Sequence, residues 1–122
     1  MTFDCSVAVI AGGLSFEREV SLRSGQRVAD ALRERGYRVS ELDADHELIE
    51  TLGDGQFDVA FLALHGRFGE DGTVASILEL LGLPYTGSSF DASRLAFDKL
   101  AAKSVLRRAG LSVPEAIPLT EG

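Results

Sequence analysis

The apolar run Val7–Ala11, followed directly by Gly12-Gly13, constrains the fold more than any other stretch of the sequence. The residues of this run are apolar on both faces of the predicted strand, which is typical of a strand buried on both sides in a parallel sheet. A charged, amphipathic segment follows the glycines, so the sequence predicts a strand, a glycine turn and the start of a helix. Because ligands bind at the carboxyl ends of parallel strands, we expect part of a site at this turn.

The rest of the chain alternates between strand-like and helix-like segments, each bounded by glycine or polar residues. Crossovers of this length allow parallel pairing. The predicted helices are 16–35, 46–52, 73–81 and 91–109, the last in one or two pieces; the further strands are 37–42, 58–64 and 83–86. This order predicts an α/β fold, a three-layer sandwich with a mostly parallel sheet of about four strands, Rossmann-like in arrangement.

The first predicted helix carries a repeating apolar and small-residue pattern. Ser15 is a candidate N-cap, and Gly36 is placed to end the helix. The pattern predicts one inward face, made of Val20, Ser24, Val28, Ala31 and Leu32.

Composition excludes several classes of function. The 122 residues suit one domain, and the net charge of −7 argues against a nucleic-acid surface, which would show clustered Lys and Arg. One cysteine excludes a disulfide framework and a multi-cysteine metal site. No segment has the length of a membrane span or the pattern of a signal peptide, so we expect no membrane association and a cytoplasmic protein.

Glu17 and His65 are the candidate site residues, because each follows a predicted buried strand. Glu17 lies in the first turn of its helix, where the macrodipole favours a carboxylate that could pair with a ligand ammonium; it could also be a simple helix-start acid. His65 could donate a hydrogen bond to a ligand at the sheet edge, or it could cap the loop 67–71 through Glu70 or Asp71. The sequence alone leaves both pairs of alternatives open.

Three other charged positions are weaker candidates. His46 lies among acidic residues and is predicted to be solvated surface. Lys99 and Lys103 are one helical turn apart and could contact phosphate, or form a solvated face with Asp98. No dinucleotide or P-loop motif is present, and no nucleophile, base and orienting acid can be assembled from the sequence.

Three segments together resemble one family, the amino-terminal lobe of D-alanine–D-alanine ligases of the ATP-grasp type. They occur in order and cover nearly the whole chain: GGLSFEREVSLRSG (12–25), ALHGRFGEDGTVASILELLGLPYTGSS (63–89) and FDKLAAKSVLRRAGLSVP (97–114). The run LHG-x-x-GEDG-T is the most specific part of the resemblance. Phe16, Ser89 and Phe97 depart from residues that are common in the family at those positions.

The resemblance implies an ATP-dependent ligase that joins two D-alanines through an acylphosphate for peptidoglycan, and hence for the cell wall and cell shape. It implies that Glu17 holds the ammonium of the first D-alanine and that His65, with Gly66, lies beside the substrate carboxylate. Val20 would line the same subsite, and Lys99 would reach ATP. ATP and Mg²⁺ would be bound mainly by ATP-grasp lobes that are absent from this sequence, so the chain alone should be inactive.

The resemblance also predicts a domain division and leaves alternatives. Residues 1–113 are expected to form the substrate-side lobe, and residues 114–122 the start of a linker into the ATP-grasp lobes. A homodimer is compatible with the family, although no residue pattern demands one. A D-alanine–D-lactate or D-alanine–D-serine ligase, or a freestanding non-catalytic binding module, would also fit these residues.

Overall fold

The computed structural model describes residues 3–119, which form three strands and five helices. The strands are β1 (Ser6–Ala11), β2 (Arg38–Asp43) and β3 (Val59–Leu62). The helices are α1 (Arg18–Glu34), α2 (Leu48–Asp54), α3 (Thr73–Leu81), α4 (Phe90–Phe97) and α5 (Lys99–Arg108).

The sheet is parallel, with strand order β2-β1-β3. Val7 is paired with Val39 on one side and Val59 on the other, so β1 is the central strand. The predicted fourth strand is reduced to a parallel bridge between Ala60 and Tyr85, where Pro84 O accepts a hydrogen bond from Ala60 N at 2.8 Å. Proline lacks an N–H, which suits this edge position.

Two hydrophobic clusters cover the two faces of the sheet. On one face, Ala8 and Ile10 pack with apolar residues of α2 and α3. On the other, Val7 and Val9 pack with Ala29 of α1. Alternate residues of β1 therefore belong to opposite clusters, as the period of a strand requires. The predicted three-layer α/β arrangement is confirmed.

The inward face of α1 is shifted by one residue from the predicted one. The buried residues are Ser21, Gly25 and Ala29, whereas Val20 is 52% exposed. Ala31 is also exposed, so both positions were wrongly assigned to the inward face. The reason is close packing: a Cβ on Gly25 would lie 2.6 Å from the Cβ of Ala11, so only small residues fit against the strand.

Ser21 forms the tightest polar connection between α1 and the sheet. Its hydroxyl is fully buried, accepts a hydrogen bond from Gly12 N at 2.9 Å and donates one to Ala63 O at 2.6 Å. One side chain thus satisfies a backbone donor after β1 and a backbone acceptor after β3. It holds the carboxyl ends of two neighbouring strands against the start of the helix.

Other boundaries differ modestly from the predictions. Ser15 does not cap α1, which begins at Arg18 after a turn. The predicted helix 91–109 is two helices, separated at Asp98, whose extended backbone ends α4 and whose carboxylate accepts from the N–H groups of Leu100 and Ala101 to begin α5. Residues 111–119 contain no helix or strand, and residues 120–122 of the predicted linker lie outside the described range.

Among residues 3–119, no helix has both the length and the apolar character needed to cross a membrane.

We expect Ser21→Ala to lower the free energy of unfolding by about 1–3 kcal/mol, because Gly12 N–H and Ala63 C=O would lose their buried partner. Urea denaturation measures this difference. Ser40→Ala is the matched control, since Ser40 is exposed on β2, and should have little effect. Equal midpoints for the two variants would contradict the bridging role of Ser21.

Candidate functional site at the carboxyl ends of the strands

The turn after β1 is held by an ion pair between Arg18 and Asp43. The guanidinium contacts both carboxylate oxygens, at 2.9 and 2.6 Å, in a bidentate arrangement. Asp43 also accepts a hydrogen bond from Gly13 N at 3.0 Å, and Arg18 donates to Gly13 O at 3.1 Å. The last residue of β2 therefore fixes the glycine turn and the first residue of α1 together.

This pairing changes the titration of Asp43. The hydrogen bond from Arg18 is the main cause that lowers the pKa of the Asp43 carboxyl below its usual value; partial burial opposes it, and the Gly13 N–H assists. The same pairing raises the pKa of Arg18.

Ser15 links the two candidate site residues, which are far apart in sequence. Its hydroxyl donates to His65 O at 3.0 Å and accepts from Glu17 N at 3.1 Å. The loop after β1 and the loop after β3 are thereby joined at one edge of the sheet. The backbones of Glu17 and His65 therefore meet at Ser15, while a shared role for the two side chains stays a prediction.

Gly66 packs directly beneath the Glu17 side chain. A Cβ on Gly66 would lie 2.7 Å from Glu17 Oε2 and 3.2 Å from the Cβ of Ser15. Gly66 also has a φ of +73°, a region that disfavours residues with a side chain. Both constraints require glycine here if the Glu17 carboxylate is to keep its position.

A cleft of about 460 Å³ opens at this junction. The lining residues are Leu14, Ser15, Phe16, Glu17, Gly66, Arg67 and Phe68. Glu17 and Arg67 bring opposite charges to the cleft, and the exposed side chain of Phe16 stands at its edge. Such a cleft suits a small ligand that carries both an ammonium and a carboxylate.

The His65 ring contacts α1 and no carboxylate of the following loop. Its Nε2 lies 3.2 Å from the Oγ of Ser24. The Asp71 carboxylate instead accepts from Thr73 N at 2.9 Å. Burial tends to raise the pKa of Asp71, but the hydrogen bonds from Thr73 and Phe68 N lower it overall. The alternative in which His65 caps the loop through Asp71 is therefore not what the structure has.

The remaining candidates lie away from this contact network. Val20 is half-exposed on α1, and the His46 ring is 89% exposed beside Glu47, as predicted for solvated surface. Lys99 is the exposed first residue of α5, and Lys103 lies one turn later on the same helix. No hydrogen bond among residues 3–119 connects either lysine to Glu17 or His65.

Sequence reasoning missed four residues that organise the site: Ser15 as a link, Arg18, Asp43 and Ser24. Each forms at least one hydrogen bond with a partner 25 or more positions away. The available signal was an acidic residue at the end of β2, since parallel topology brings strand ends together. Nothing in the spacing of the serines indicated their partners.

The described residues do not supply a metal centre or a nucleotide cradle. Among residues 3–119, no three His, Cys, Asp or Glu side chains come together to hold a metal ion. Lys99 is a single exposed cation on α5, which does not by itself form a phosphate site. ATP and Mg²⁺ therefore do not fit a site built from these residues alone.

Comparisons with known proteins agree with this fold. Residues 43–88 match the family described as D-ala D-ala ligase N-terminus. The chain is 52% identical over 116 residues to the D-alanine–D-alanine ligase of Desulforudis audaxviator, covering 95% of this chain and 38% of that protein. It is 55% identical over 111 residues to the ligase of Parvibaculum lavamentivorans, covering 91% and 36%.

Two solved structures are similar at the level of the fold. The Bacillus anthracis D-alanine–D-alanine ligase complexed with ATP has a TM-score of 0.83 and 39% identity, over 91% of this chain and 38% of that one. The Aeromonas hydrophila enzyme has a TM-score of 0.84 and 28% identity, over 97% and 51%.

The parallel sheet, the strand-end turns and these matches define an α/β domain of the ligase amino-terminal class. The chain is similar to the amino-terminal part of D-alanine–D-alanine ligases. The chain spans 35–38% of the length of the curated relatives that it matches.

We expect Gly66→Ala to destabilise the chain more than Gly82→Ala, as measured by urea denaturation. Both glycines have similar positive φ values, +73° and +69°, so both substitutions carry a backbone cost of about 1–2 kcal/mol. A Cβ on Gly82 meets nothing within 4 Å, whereas one on Gly66 meets Glu17. Combining Gly66→Ala with Glu17→Ala should restore part of the additional stability that Gly66→Ala loses relative to Gly82→Ala. No restoration in the double variant would contradict the contact between Gly66 and Glu17.

The Arg18–Asp43 pair should make stability depend on acid pH. Because the pKa of folded Asp43 is lowered, its contribution is present above the unfolded value of 3.8 and is lost as pH falls through the lower folded value. In Asp43→Asn, the free energy of unfolding should therefore decrease less than in the wild type as the pH is lowered over that range. Asp54→Asn, an exposed carboxyl at the end of α2, is the control and should leave the slope unchanged.

Proposed function

We propose that this chain is the substrate-side lobe of an ATP-dependent D-alanine–D-alanine ligase and that its strand-end cleft binds the first D-alanine. One observation carries the proposal: Glu17 and residues 66–67, from two distant loops, line one cleft, and the Ser15 hydroxyl joins Glu17 N to the carbonyl oxygen of the preceding residue, His65. The similarity to D-alanine–D-alanine ligases suggests the reaction class, and the cleft supplies a place for the amino acid.

The charges of the cleft support a zwitterionic substrate. In this proposal the Glu17 carboxylate, at the start of α1, accepts hydrogen bonds from the substrate ammonium. His65, with Gly66, lies beside the substrate carboxylate, and Arg67 adds a positive charge to the same cleft. The resemblance implies that Val20 lines the same subsite, although Val20 is exposed on α1 and is not among the residues that line the cleft. These groups bind and orient the substrate.

The chemical step would require groups beyond the described residues. The match covers only 38% of the Desulforudis audaxviator ligase, and one of the similar solved structures is a complex with ATP. When bound, ATP would supply the phosphoryl group that activates the carboxylate of the first D-alanine, with Mg²⁺ neutralising phosphate charge. Lys99 would be this chain's contribution to the nucleotide. The product would serve peptidoglycan synthesis in the cytoplasm.

A chimera tests this proposal. The chain replaces the matching amino-terminal region of the Desulforudis audaxviator ligase, and D-alanine-dependent release of ADP is measured. The wild-type chimera should be active. Glu17→Gln should lower kcat/KM for D-alanine by roughly tenfold or more, because a charge-assisted hydrogen bond is lost.

Glu19→Gln provides the matched control for the chimera. Glu19 is an exposed acid in the first turn of the same helix, so its loss changes the local charge equally without entering the cleft. Its kcat/KM should remain near the wild-type value. An inactive wild-type chimera beside an active parent enzyme, or equal effects of the two substitutions, would overturn the proposed role.

A further inference from the structure

Ser24 is the group on α1 that contacts the ring of His65. Its Oγ lies 3.2 Å from Nε2, while the backbone of His65 is held separately by Ser15. Two serines from the first loop and helix therefore fix one histidine, one through the carbonyl oxygen and one through the imidazole. Ser24 and His65 are both half-buried, so this contact is shielded on part of its surface from competing water.

The direction of this hydrogen bond determines where the imidazole carries its proton. A hydroxyl can either donate to a ring nitrogen or accept from a ring N–H. Among residues 3–119, Nε2 of His65 is the one partner recorded for Ser24 Oγ. Either direction leaves one hydrogen without a partner among these residues: the hydroxyl hydrogen if Ser24 accepts from Nε2–H, or Nδ1–H if Ser24 donates to Nε2. Donation leaves that hydrogen on the ring nitrogen that Ser24 does not contact, where an acceptor on a ligand can pair with it.

The geometry points to Ser24 as a positioning residue that donates to Nε2 of His65 and so keeps the neutral ring protonated at Nδ1. Nδ1 has no hydrogen-bond partner among residues 3–119, so its N–H is available to an acceptor on a ligand. The neutral imidazole can then donate to a carboxylate without first gaining a proton. The choice of tautomer rests on the proposed function, whereas the Ser24–His65 contact does not.

Nitrogen-15 NMR of the two imidazoles in the 122-residue chain tests the inference directly. In alkaline buffer, where both rings are neutral, the wild-type His65 should show an Nδ1–H pattern of shifts. Ser24→Ala should move His65 towards the Nε2–H form that free imidazoles favour, and Ser24→Thr, which keeps the hydroxyl, should restore Nδ1–H. A wild-type ring already in the Nε2–H form, or an unchanged tautomer in Ser24→Ala, would overturn the assignment.

Two controls separate this effect from a loss of structure. His46 is almost fully exposed and is the only other histidine, so its spectrum should be the same in every variant. Ser40→Ala should leave His65 unchanged. Amide spectra of Ser24→Ala should show a folded chain, with shifts confined to the neighbourhood of residues 24 and 65. If this variant unfolds, Ser24→Cys replaces it, because the thiol is a weaker donor than the hydroxyl. The tautomer of His65 in Ser24→Cys is then compared with that in the wild type and in Ser24→Thr.

The chimera described above adds the functional consequence. Ser24→Ala should raise the KM for D-alanine by about three- to tenfold with a smaller change in kcat, because the substrate carboxylate loses an oriented donor. Ser24→Thr should retain a KM near that of the wild type. An NMR result as expected with an unchanged KM would keep the Ser24–His65 assignment and would count against His65 as a carboxylate ligand.

Discussion

The fold and the site both depend on how closely α1 approaches the carboxyl ends of β1 and β3. Ser21 makes that approach possible, since one buried hydroxyl serves Gly12 N and Ala63 O at once. The absence of a side chain at Gly25 lets the helix lie against Ala11. A bulkier inward face would push α1 outward, and the residues at its start would separate from the loop after β3.

The site is built from backbone turns that are tied together by short polar side chains. Ser15 joins the two loops, Arg18 and Asp43 secure the glycine turn to the end of β2, and Ser24 contacts the ring of His65. Arg18 is the one long, flexible side chain among the groups that form these bonds. The rigidity favours a small ligand, because binding would require little additional ordering of the protein.

The sequence predicted the parts of this structure that depend on local or periodic patterns. The bounds of α3 were predicted at Thr73 and Leu81 because Gly82 ends the helix with a left-handed conformation. The meeting of Glu17 and His65 followed from parallel topology. The inward face of α1 was predicted only in part. Val28 and Leu32 do pack against the core, but apolar character favoured Val20 whereas close packing on the strand selects small residues. The partners of Asp43 and Ser24 depend on loop geometry, which periodicity does not encode.

The helices α4 and α5 contribute no residue to either hydrophobic cluster, and neither contains a buried side chain. Tyr85 is the last residue along the chain that packs against either hydrophobic cluster. Its hydroxyl donates to Glu79 Oε1, and the same oxygen accepts from Phe90 N, which anchors the start of α4. Local opening of this helical pair thus exposes little core, and its backbone amides should exchange with deuterium sooner than those of β1. Lys99 is carried by this weakly held part of the chain, so its position can adjust while Glu17 and His65 stay in place.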